Sequence, residues 1–256
     1  MAEPAVSPTF PAFPVQVRDL ASRLGVSDGT RNDYVHLRQA GRMRSIGGRW
    51  SRFEADQRIL IHKCAFDWRA RTGLFGMLRI RDALIDGQGQ LDVQAFGAIP
   101  LAHFDVQPPL TRGEVMRYLA EIPWAPHAIL SNPALLWRGG DGGMLWVGAK
   151  GTGDVAWVRL ELDEEGRIGG VFAPDRPRMV DDGFVPTPWT GRFSDYRCQD
   201  GLWLPFAASV SWLVGGVEEI VWEGRLTGWQ MISAGIGETN LPARIPLDQR
   251  SGRRPR

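Results

Sequence analysis

Two acidic residues lie in phase with apolar residues of predicted strands, and they are the clearest candidates for chemistry. Asp82 alternates in step with the apolar residues of segment 78–84, and Asp195 is in step with Trp189 and Phe193. A carboxylate that points into an apolar space must be ion-paired, hydrogen-bonded or protonated. If both acids lined one concavity, they would form a general acid and base pair. Structural pairing with some of the many arginines is the alternative.

Other reactive residue types show no pattern that points to a metal or cofactor. The four histidines are far apart, and Cys64 and Cys198 are isolated from one another. Metal sites and disulfide frameworks need closer spacings. Segment 25–29 matches the Gly-x-Ser-x-Gly nucleophile motif, but a predicted helix precedes it where that motif needs a strand. The sequence therefore predicts no metal and no cofactor.

Composition and charge indicate a folded protein and exclude some classes of partner. The 256 residues are 43% hydrophobic and 23% charged, with a formal net charge of +1. Four arginines and no acid fall in the last seven residues, which favours a solvated basic tail. The remainder has a slight excess of acids, whereas nucleic-acid-binding domains usually carry a concentrated basic face. We therefore expect no nucleic-acid partner, and oligomeric state is left open.

The ends and the apolar segments carry no targeting signal. The first fourteen residues contain four prolines, and no basic residue precedes Arg18, unlike the order of a signal peptide. Segment 201–217 alternates in polarity and contains Pro205, unlike a membrane helix. We expect no integral membrane segment, a cytoplasmic location, and free thiols at both cysteines.

Periodicity predicts the elements that would position the two acids. A short helix over 17–24 ends at Gly25, and a Thr111-to-Glu114 capping box starts a central helical insert over about 111–131. Alternating segments predict strands on both sides of this insert. They are 34–44, 49–61, 66–72, 78–84, 91–95, 144–149, 155–162, 168–172, 187–198, 202–214 and 218–229.

These elements predict a mainly β protein of the α+β class. The expected architecture is a large curled antiparallel sheet, or half-open β-barrel, of about 11–12 strands. An N-terminal helix and the helical insert cover its concave face. The expected organisation is an extended Pro-rich leader over 1–14, one β-rich domain over 15–245, and a basic disordered tail over 246–256.

A dense motif over residues 189–196, Trp-Thr-Gly-Arg-Phe-Ser-Asp-Tyr, resembles an uncharacterised bacterial family of unknown function. Short segments around Arg42, Trp50 and Tyr118 and the Trp124-x-Pro126 pair share this resemblance. The order of elements also looks like the outer-membrane lipoprotein carrier fold. That resemblance implies a half-open barrel whose lidded concave face holds acyl chains. Members of that fold are usually exported, and neither resemblance brings catalytic residues with it.

Eleven tryptophans, most of them in predicted strands, fill either the core of a curved sheet or the wall of a ligand cavity. The leading hypothesis is a binding protein for a lipid or other hydrophobic small molecule in a Trp-lined half-barrel. Its predicted ligand-binding residues are Glu121, Trp124, Trp189, Arg192, Phe193, Asp195, Tyr196 and Trp212. One alternative is a cyclase, isomerase or hydrolase that uses Asp82 and Asp195. A second alternative is a protein-interaction scaffold.

Overall fold

Alternation of apolar and polar residues produces a single antiparallel sheet, as the sequence predicts. The computed structural model describes residues 14–27, 30–44, 48–73, 76–95, 99–104, 107–140, 144–181 and 183–233. Its strands are β1 (Tyr34–Arg44), β2 (Trp50–Leu60), β3 (Phe66–Thr72), β4 (Leu78–Ile85), β5 (Gln88–Ala95), β6 (Ile99–Phe104), β7 (Leu136–Gly139), β8 (Leu145–Lys150), β9 (Val155–Leu162), β10 (Ile168–Val180), β11 (Gly183–Gln199), β12 (Leu202–Val214) and β13 (Val217–Ile232). The predicted tail and the predicted leader up to residue 13 lie outside the described residues.

The sheet consists of two meanders joined at one seam. Within the described residues its thirteen strands run in the order β6-β5-β4-β3-β2-β1-β13-β12-β11-β10-β9-β8-β7. Each half is thus built from strands that follow one another in sequence, and the β1–β13 pair connects the halves. The predicted class is confirmed, and the short edge strand β6 accounts for part of the excess over the predicted 11–12 strands.

Three α-helices cover one face of this sheet. They are α1 (Val15–Arg23), α2 (Pro108–Ala120) and α3 (Ala128–Ser131), with a 3-10 turn over Ile122–Trp124 between the last two. Helix α2 contacts β4 and β5 on one side and β8, β9 and β10 on the other. It therefore lies along the concave face of the curled sheet. None of the helices in the described ranges is long and apolar enough to cross a bilayer.

The start of α2 differs from the prediction. Pro108 and Pro109 occupy the first helical turn, so the helix begins three residues before Thr111. Proline suits this position because the first amide groups of a helix have no partner within it. The Thr111 hydroxyl instead accepts a 3.0 Å hydrogen bond from the Gly89 amide on β5. The predicted capping box is therefore wrong, and Glu114 is free for another role.

The end of the helical insert is tied to the sheet by a buried polar anchor. The Tyr118 hydroxyl donates to the Leu60 carbonyl at 2.9 Å, and the Asn132 amide donates to the Tyr118 hydroxyl at 2.8 Å. Asn132 also lies 3.7 Å from the Cys64 sulfur. Burial raises the pKa of the Cys64 thiol to about 11, which makes it a poor nucleophile. This cysteine therefore belongs to the packing beneath the insert.

Candidate functional site

A row of three side chains on β4, β3 and β2 faces α2 from the concave side. Asp82 pairs across the strands with Trp68, and Trp68 pairs with Gln57. Paired residues of antiparallel strands point to the same face. The Asp82 carboxylate therefore lies on the inner face of the curled sheet. Its alternation with apolar neighbours predicts this orientation.

Arg117 on α2 connects this row to the helix. Its guanidinium donates to Asp82 and, at 2.9 Å, to Glu121 one turn later. Gln57 on β2 donates to the second carboxylate oxygen of Glu121, so Glu121 is also bound to the row of strand side chains. Although burial would lower the pKa of Arg117, the charges of Glu121 and Asp82 raise it above its ordinary value. Arg117 thus stays charged in a largely buried position.

The opposite wall contributes Arg176 on β10. One of its nitrogens lies 3.8 Å from a carboxylate oxygen of Glu114, which projects from α2. The guanidinium also stacks over Trp189 at 4.6 Å and approaches Trp212 at 5.7 Å. Burial lowers the pKa of Arg176. Arg112 of α2 also forms a 2.7 Å ion pair with Asp175 on β10. Helix α2 is therefore held by ionic contacts to both walls of the half-barrel.

Glu114 and Asp82 form a carboxyl pair at the centre of this polar cluster, which we define as Gln57, Asp82, Glu114, Arg117, Glu121 and Arg176. Burial, and then the negative charge of Asp82, raise the pKa of Glu114 well above its ordinary range. A protonated Glu114 is a hydrogen-bond donor toward Asp82. With that proton, two arginines balance Asp82 and Glu121, and the polar cluster is neutral.

Several atoms of this region retain unused hydrogen-bonding capacity. Buried polar groups are normally paired, because an unpaired group loses its hydration without compensation. The buried atoms with no hydrogen-bond partner among the described residues include Gln57 Oε1, Asp82 Oδ1, Glu114 Oε2, Arg176 Nε and Trp189 Nε1. The proton on Glu114 accounts for two of them, and the others remain available to a polar group at this position.

The raised pKa of Glu114 makes stability pH-dependent. Above the ordinary glutamate pKa of 4.5, the unfolded chain releases a proton that the folded protein keeps. Stability should therefore fall as pH rises, by about 1.4 kcal/mol per pH unit, until the raised pKa is passed. Glu114→Gln should match the wild type near about pH 5 and exceed it near about pH 8 in urea unfolding. Exposed Glu164→Gln is the control, and an unchanged slope in Glu114→Gln would contradict the buried proton.

An aromatic cluster continues the concave surface beyond the polar cluster, and we define it as Phe53, Trp68, Trp124, Phe193 and Trp222. Phe53 contacts Trp68 edge-on at 5.9 Å and stacks on Trp222 at 5.5 Å. Trp124 contacts Phe193 at 5.4 Å and Trp222 at 6.5 Å. Trp124 also donates its indole N–H to the Pro205 carbonyl at 2.9 Å. These rings link both halves of the sheet to the end of the helical insert.

Small residues in the sheet make room for these rings. Phe53 on β2 and Phe193 on β11 are the ends of a cross-strand row whose middle members are Gly41, Gly224 and Ala208. A Cβ on Gly224 would lie 2.3 Å from the Trp222 ring. The Trp222 ring therefore lies against bare backbone. Trp222 and Phe193 remain only partly buried, so this end of the concave face is an accessible apolar surface.

Five of the eight predicted ligand-binding residues come together on the concave side. Glu121 belongs to the polar cluster, and Trp124 and Phe193 belong to the aromatic cluster. Trp189 pairs across the strands with Trp212, and both rings lie beside Arg176.

The other three predicted residues lie elsewhere. Arg192 is exposed and forms a 3.3 Å ion pair with Glu218. Tyr196 donates its hydroxyl to the Ile168 carbonyl at 2.7 Å. Asp195 accepts hydrogen bonds from Arg197 and Arg225 at the exposed surface. Their predicted role in ligand binding has no support from these positions.

Asp82 and Asp195 do not line one concavity, so the condition for an acid and base pair between them is not met. Each carboxylate instead pairs with arginine, which is the alternative given by the sequence. Asp195 has a φ of 57°, and the β11–β12 register skips it between Ser194 and Tyr196. The left-handed backbone conformation of Asp195 and its two arginine partners hold the carboxylate at the exposed surface, whereas Asp82 points to α2. The acid that lies beside Asp82 is Glu114, which the sequence analysis had assigned to a capping box.

Other residues of the two clusters escaped the sequence analysis, and three of them differ in the signal that they carried. Arg117 carried a usable signal, because it lies four residues before Glu121 on a predicted helix. Trp222 was one of many strand tryptophans without a distinguishing mark. Arg176 carried no signal, since the β10–β11 register shifts between Ala173 and Arg176 and breaks the alternation.

Comparison with protein families identifies the relatives of this chain. A model described as a family of unknown function, DUF6544, matches residues 5–224. The chain belongs to this family. The match confirms the expected membership of an uncharacterised family. No curated protein matches this DUF6544 protein.

Two solved structures match this DUF6544 protein at low sequence identity. A LolA superfamily protein from Nitrosomonas europaea is 9% identical with a TM-score of 0.43, and the match covers 86% of this chain and 95% of that one. A domain assigned as an outer membrane lipoprotein-sorting protein from Vibrio parahaemolyticus is 10% identical with a TM-score of 0.41, covering 85% and 91% of the two chains. At such identities no function passes from them to the DUF6544 protein.

No metal centre is evident at the site. Within the ranges that the structure describes, no three His, Cys, Asp or Glu side chains are grouped so that they could hold a metal ion.

Proposed function

We propose that this DUF6544 protein binds a lipid or another hydrophobic small molecule between the helical insert and the concave sheet. The observation that carries the proposal is a buried, charge-balanced polar cluster directly beside an accessible aromatic cluster. Such a combination of an apolar wall with few convergent polar groups is typical of small-molecule sites.

The contacts of α2 suit a helix that acts as a lid. Its inner residues Val115, Met116 and Leu119 are fully buried, but its ties to the two walls are ionic. A buried ion pair contributes little net stability compared with an apolar contact of the same size, while it defines geometry sharply. A ligand with a polar head group can replace one of these ties and so let α2 move from one wall.

The two clusters assign roles to the parts of such a ligand. Trp124, Phe193 and Trp222 would contact its apolar portion, because their rings border the accessible surface. Arg117 and Arg176 would hold an anionic or hydrogen-bonding head group. The unpartnered Trp189 Nε1 and Arg176 Nε are donors available for that purpose.

Native mass spectrometry before and after organic extraction provides the first test. An adduct of lipid-like mass that extraction removes would support the proposal. The extracted protein should then bind cis-parinaric acid, a fluorescent fatty acid. We expect Trp222→Ala to weaken this binding about tenfold, since it removes one aromatic contact with the apolar chain.

Trp146→Ala is the matched control for this measurement. Trp146 is also half-buried, but it lies on β8 beside Arg138 and away from both clusters. It should leave probe affinity unchanged. Equal weakening by both variants, or no binding of the probe by the extracted protein, would contradict the proposal. A bare chain whose mass depends on concentration would favour the scaffold alternative.

An enzyme acting on a hydrophobic substrate is the second candidate, and one observation favours it. Burial and the neighbouring carboxylate of Asp82 raise the pKa of Glu114, and a carboxyl group with a raised pKa beside a second carboxyl is the arrangement of an acid and base pair. Incubation of the extracted ligand with wild type and Glu114→Gln tests this alternative. A change in ligand mass with wild type alone would support catalysis, whereas an unchanged ligand in both samples would support binding only.

A further inference from the structure

The outer face of the N-terminal half of the sheet is strongly basic. Its arginines alternate with the buried residues of β1–β4, so they project away from α2. They are Arg38, Arg42, Arg44, Arg52, Arg58, Arg69, Arg71, Arg79 and Arg81. We call this surface the arginine face.

The net charge of the whole chain does not reveal this surface, because basic and acidic residues are concentrated in different parts of the sequence. Residues 31–85 contain twelve lysines and arginines but only five acidic residues, although the whole chain is nearly neutral. The near-neutral total that argued against polyanionic partners is thus an average over two halves of opposite sign.

Strand register places like charges directly opposite one another on the arginine face. Arg42 pairs with Arg52 across β1 and β2. Arg69 pairs with Arg81, and Arg71 with Arg79, across β3 and β4. Like charges at such positions destabilise a sheet. Acids on the other neighbouring strand offset part of this repulsion, since Arg69 also lies opposite Asp56 and Arg71 opposite Glu54.

Acidic side chains neutralise only part of this charge. Asp67 binds both Arg69 and Arg81, and Glu223 binds Arg42. Glu54 and Asp56 also lie on this face, and Asp56 contacts His36 at 3.1 Å. Arg52, Arg71 and Arg79 are exposed, and no ion pair is seen for them in the described part of the chain. Glu54 lies opposite Arg71 in the β2–β3 register, so the positive charge is least compensated at Arg52 and Arg79.

An exposed tryptophan lies at the edge of the arginine face. Trp50 is 36% exposed, and the guanidinium groups of Arg42 and Arg44 lie 4.7 Å and 5.3 Å from its ring centre. Tryptophan and arginine together are favoured at the boundary between lipid head groups and acyl chains, since each joins an apolar body to a polar end.

We propose that the arginine face docks on the surface of an anionic lipid bilayer. The positive charge of the arginine face favours an anionic partner. Its shape then distinguishes between the kinds of anionic partner. The four strands span about 14 Å, and the face is convex because α2 occupies the concave side. A convex surface cannot wrap a nucleic-acid duplex, whereas anionic lipids diffuse laterally to scattered charges. Trp50 adds an anchor at head-group depth.

Sedimentation with vesicles tests this proposal. The full chain should bind vesicles of phosphatidylcholine with phosphatidylglycerol, but not vesicles of phosphatidylcholine alone, and added salt should weaken binding. Each arginine near an anionic surface contributes about 1 kcal/mol, a factor of about five. The triple variant Arg52→Ala, Arg71→Ala and Arg79→Ala should therefore bind about 100-fold more weakly.

A second triple variant separates docking from net charge. Arg18→Ala, Arg23→Ala and Arg192→Ala remove the same charge from exposed positions outside the arginine face, and should bind as the wild type does. Equal loss in both variants, equal binding to neutral vesicles, or tighter binding to single-stranded DNA than to anionic vesicles would overturn the proposal. Docking does not depend on the lid site, so Trp222→Ala should bind vesicles normally even if no ligand binds inside.

Discussion

Replacing Arg117 by methionine is expected to lower the free energy of unfolding by about 3 to 5 kcal/mol. The substitution keeps a long unbranched side chain but leaves Asp82 and Glu121 as buried carboxylates without their shared cation. Their side chains are only 17% and 11% exposed, so water cannot replace the lost interaction fully. Urea unfolding followed by circular dichroism measures the effect.

Arg138→Met provides a matched control for the loss of a stacked arginine. Arg138 lies over Trp157 at 4.2 Å and over Trp146 at 5.5 Å, but it is exposed. Its replacement should cost about 1 kcal/mol or less. The double variant Asp82→Asn with Arg117→Met should recover part of the stability, because it removes one unpaired charge. A loss below about 1 kcal/mol in Arg117→Met would show that the polar cluster is not a buried ionised network.

Gly41→Ala is expected to destabilise the protein by about 3 kcal/mol, the upper end of the usual range for overpacking. A Cβ at this position would lie 2.0 Å from the Glu223 carbonyl oxygen and 2.8 Å from the Gly224 Cα on β13. Both are backbone atoms, so a side-chain rotation cannot relieve the clash. The β1–β13 pair is the seam that joins the two halves of the sheet. Strain at Gly41 therefore acts on the strand pairing that holds the halves together.

Gly183→Ala is the control for a glycine without close neighbours. No atom lies within 4 Å of a Cβ built there, and its backbone conformation is ordinary for any residue. Thermal unfolding of both variants should show a large decrease in Tm for Gly41→Ala and little change for Gly183→Ala. Similar values for the two variants would mean that β13 shifts without cost and that the seam is not tightly packed.

The strands were predictable because alternation is a local property. The bounds of β1 and β12 agree with the sequence prediction at both ends, and the β4–β5 hairpin forms at the predicted Asp86-Gly87 turn. The helical insert was also found, but its first residue was not. The Thr111-to-Glu114 spacing predicts a start at Thr111, but the helix begins at Pro108, with Pro108 and Pro109 in its first turn.

The candidate site was only partly predictable, for a related reason. Alternation established that Asp82 faces inward, but it carries no information about which distant residue an inward side chain meets. The other candidate acid, Asp195, has a left-handed backbone conformation and lies at the exposed surface with two arginines. The actual neighbours of Asp82, Glu114 and Arg117, lie on a helix more than thirty positions away in the sequence.

The sequence by itself thus determined the family, the mainly β class, the lid-like insert and the inward face of Asp82. These follow from local periodicity and from motifs read in order along the chain. Only the tertiary structure decided that Glu114, Arg117 and Arg176 enclose Asp82, and that nine arginines share one outer face. Curling of the sheet and cross-strand register bring these residues together, and both depend on packing between segments that are remote in sequence.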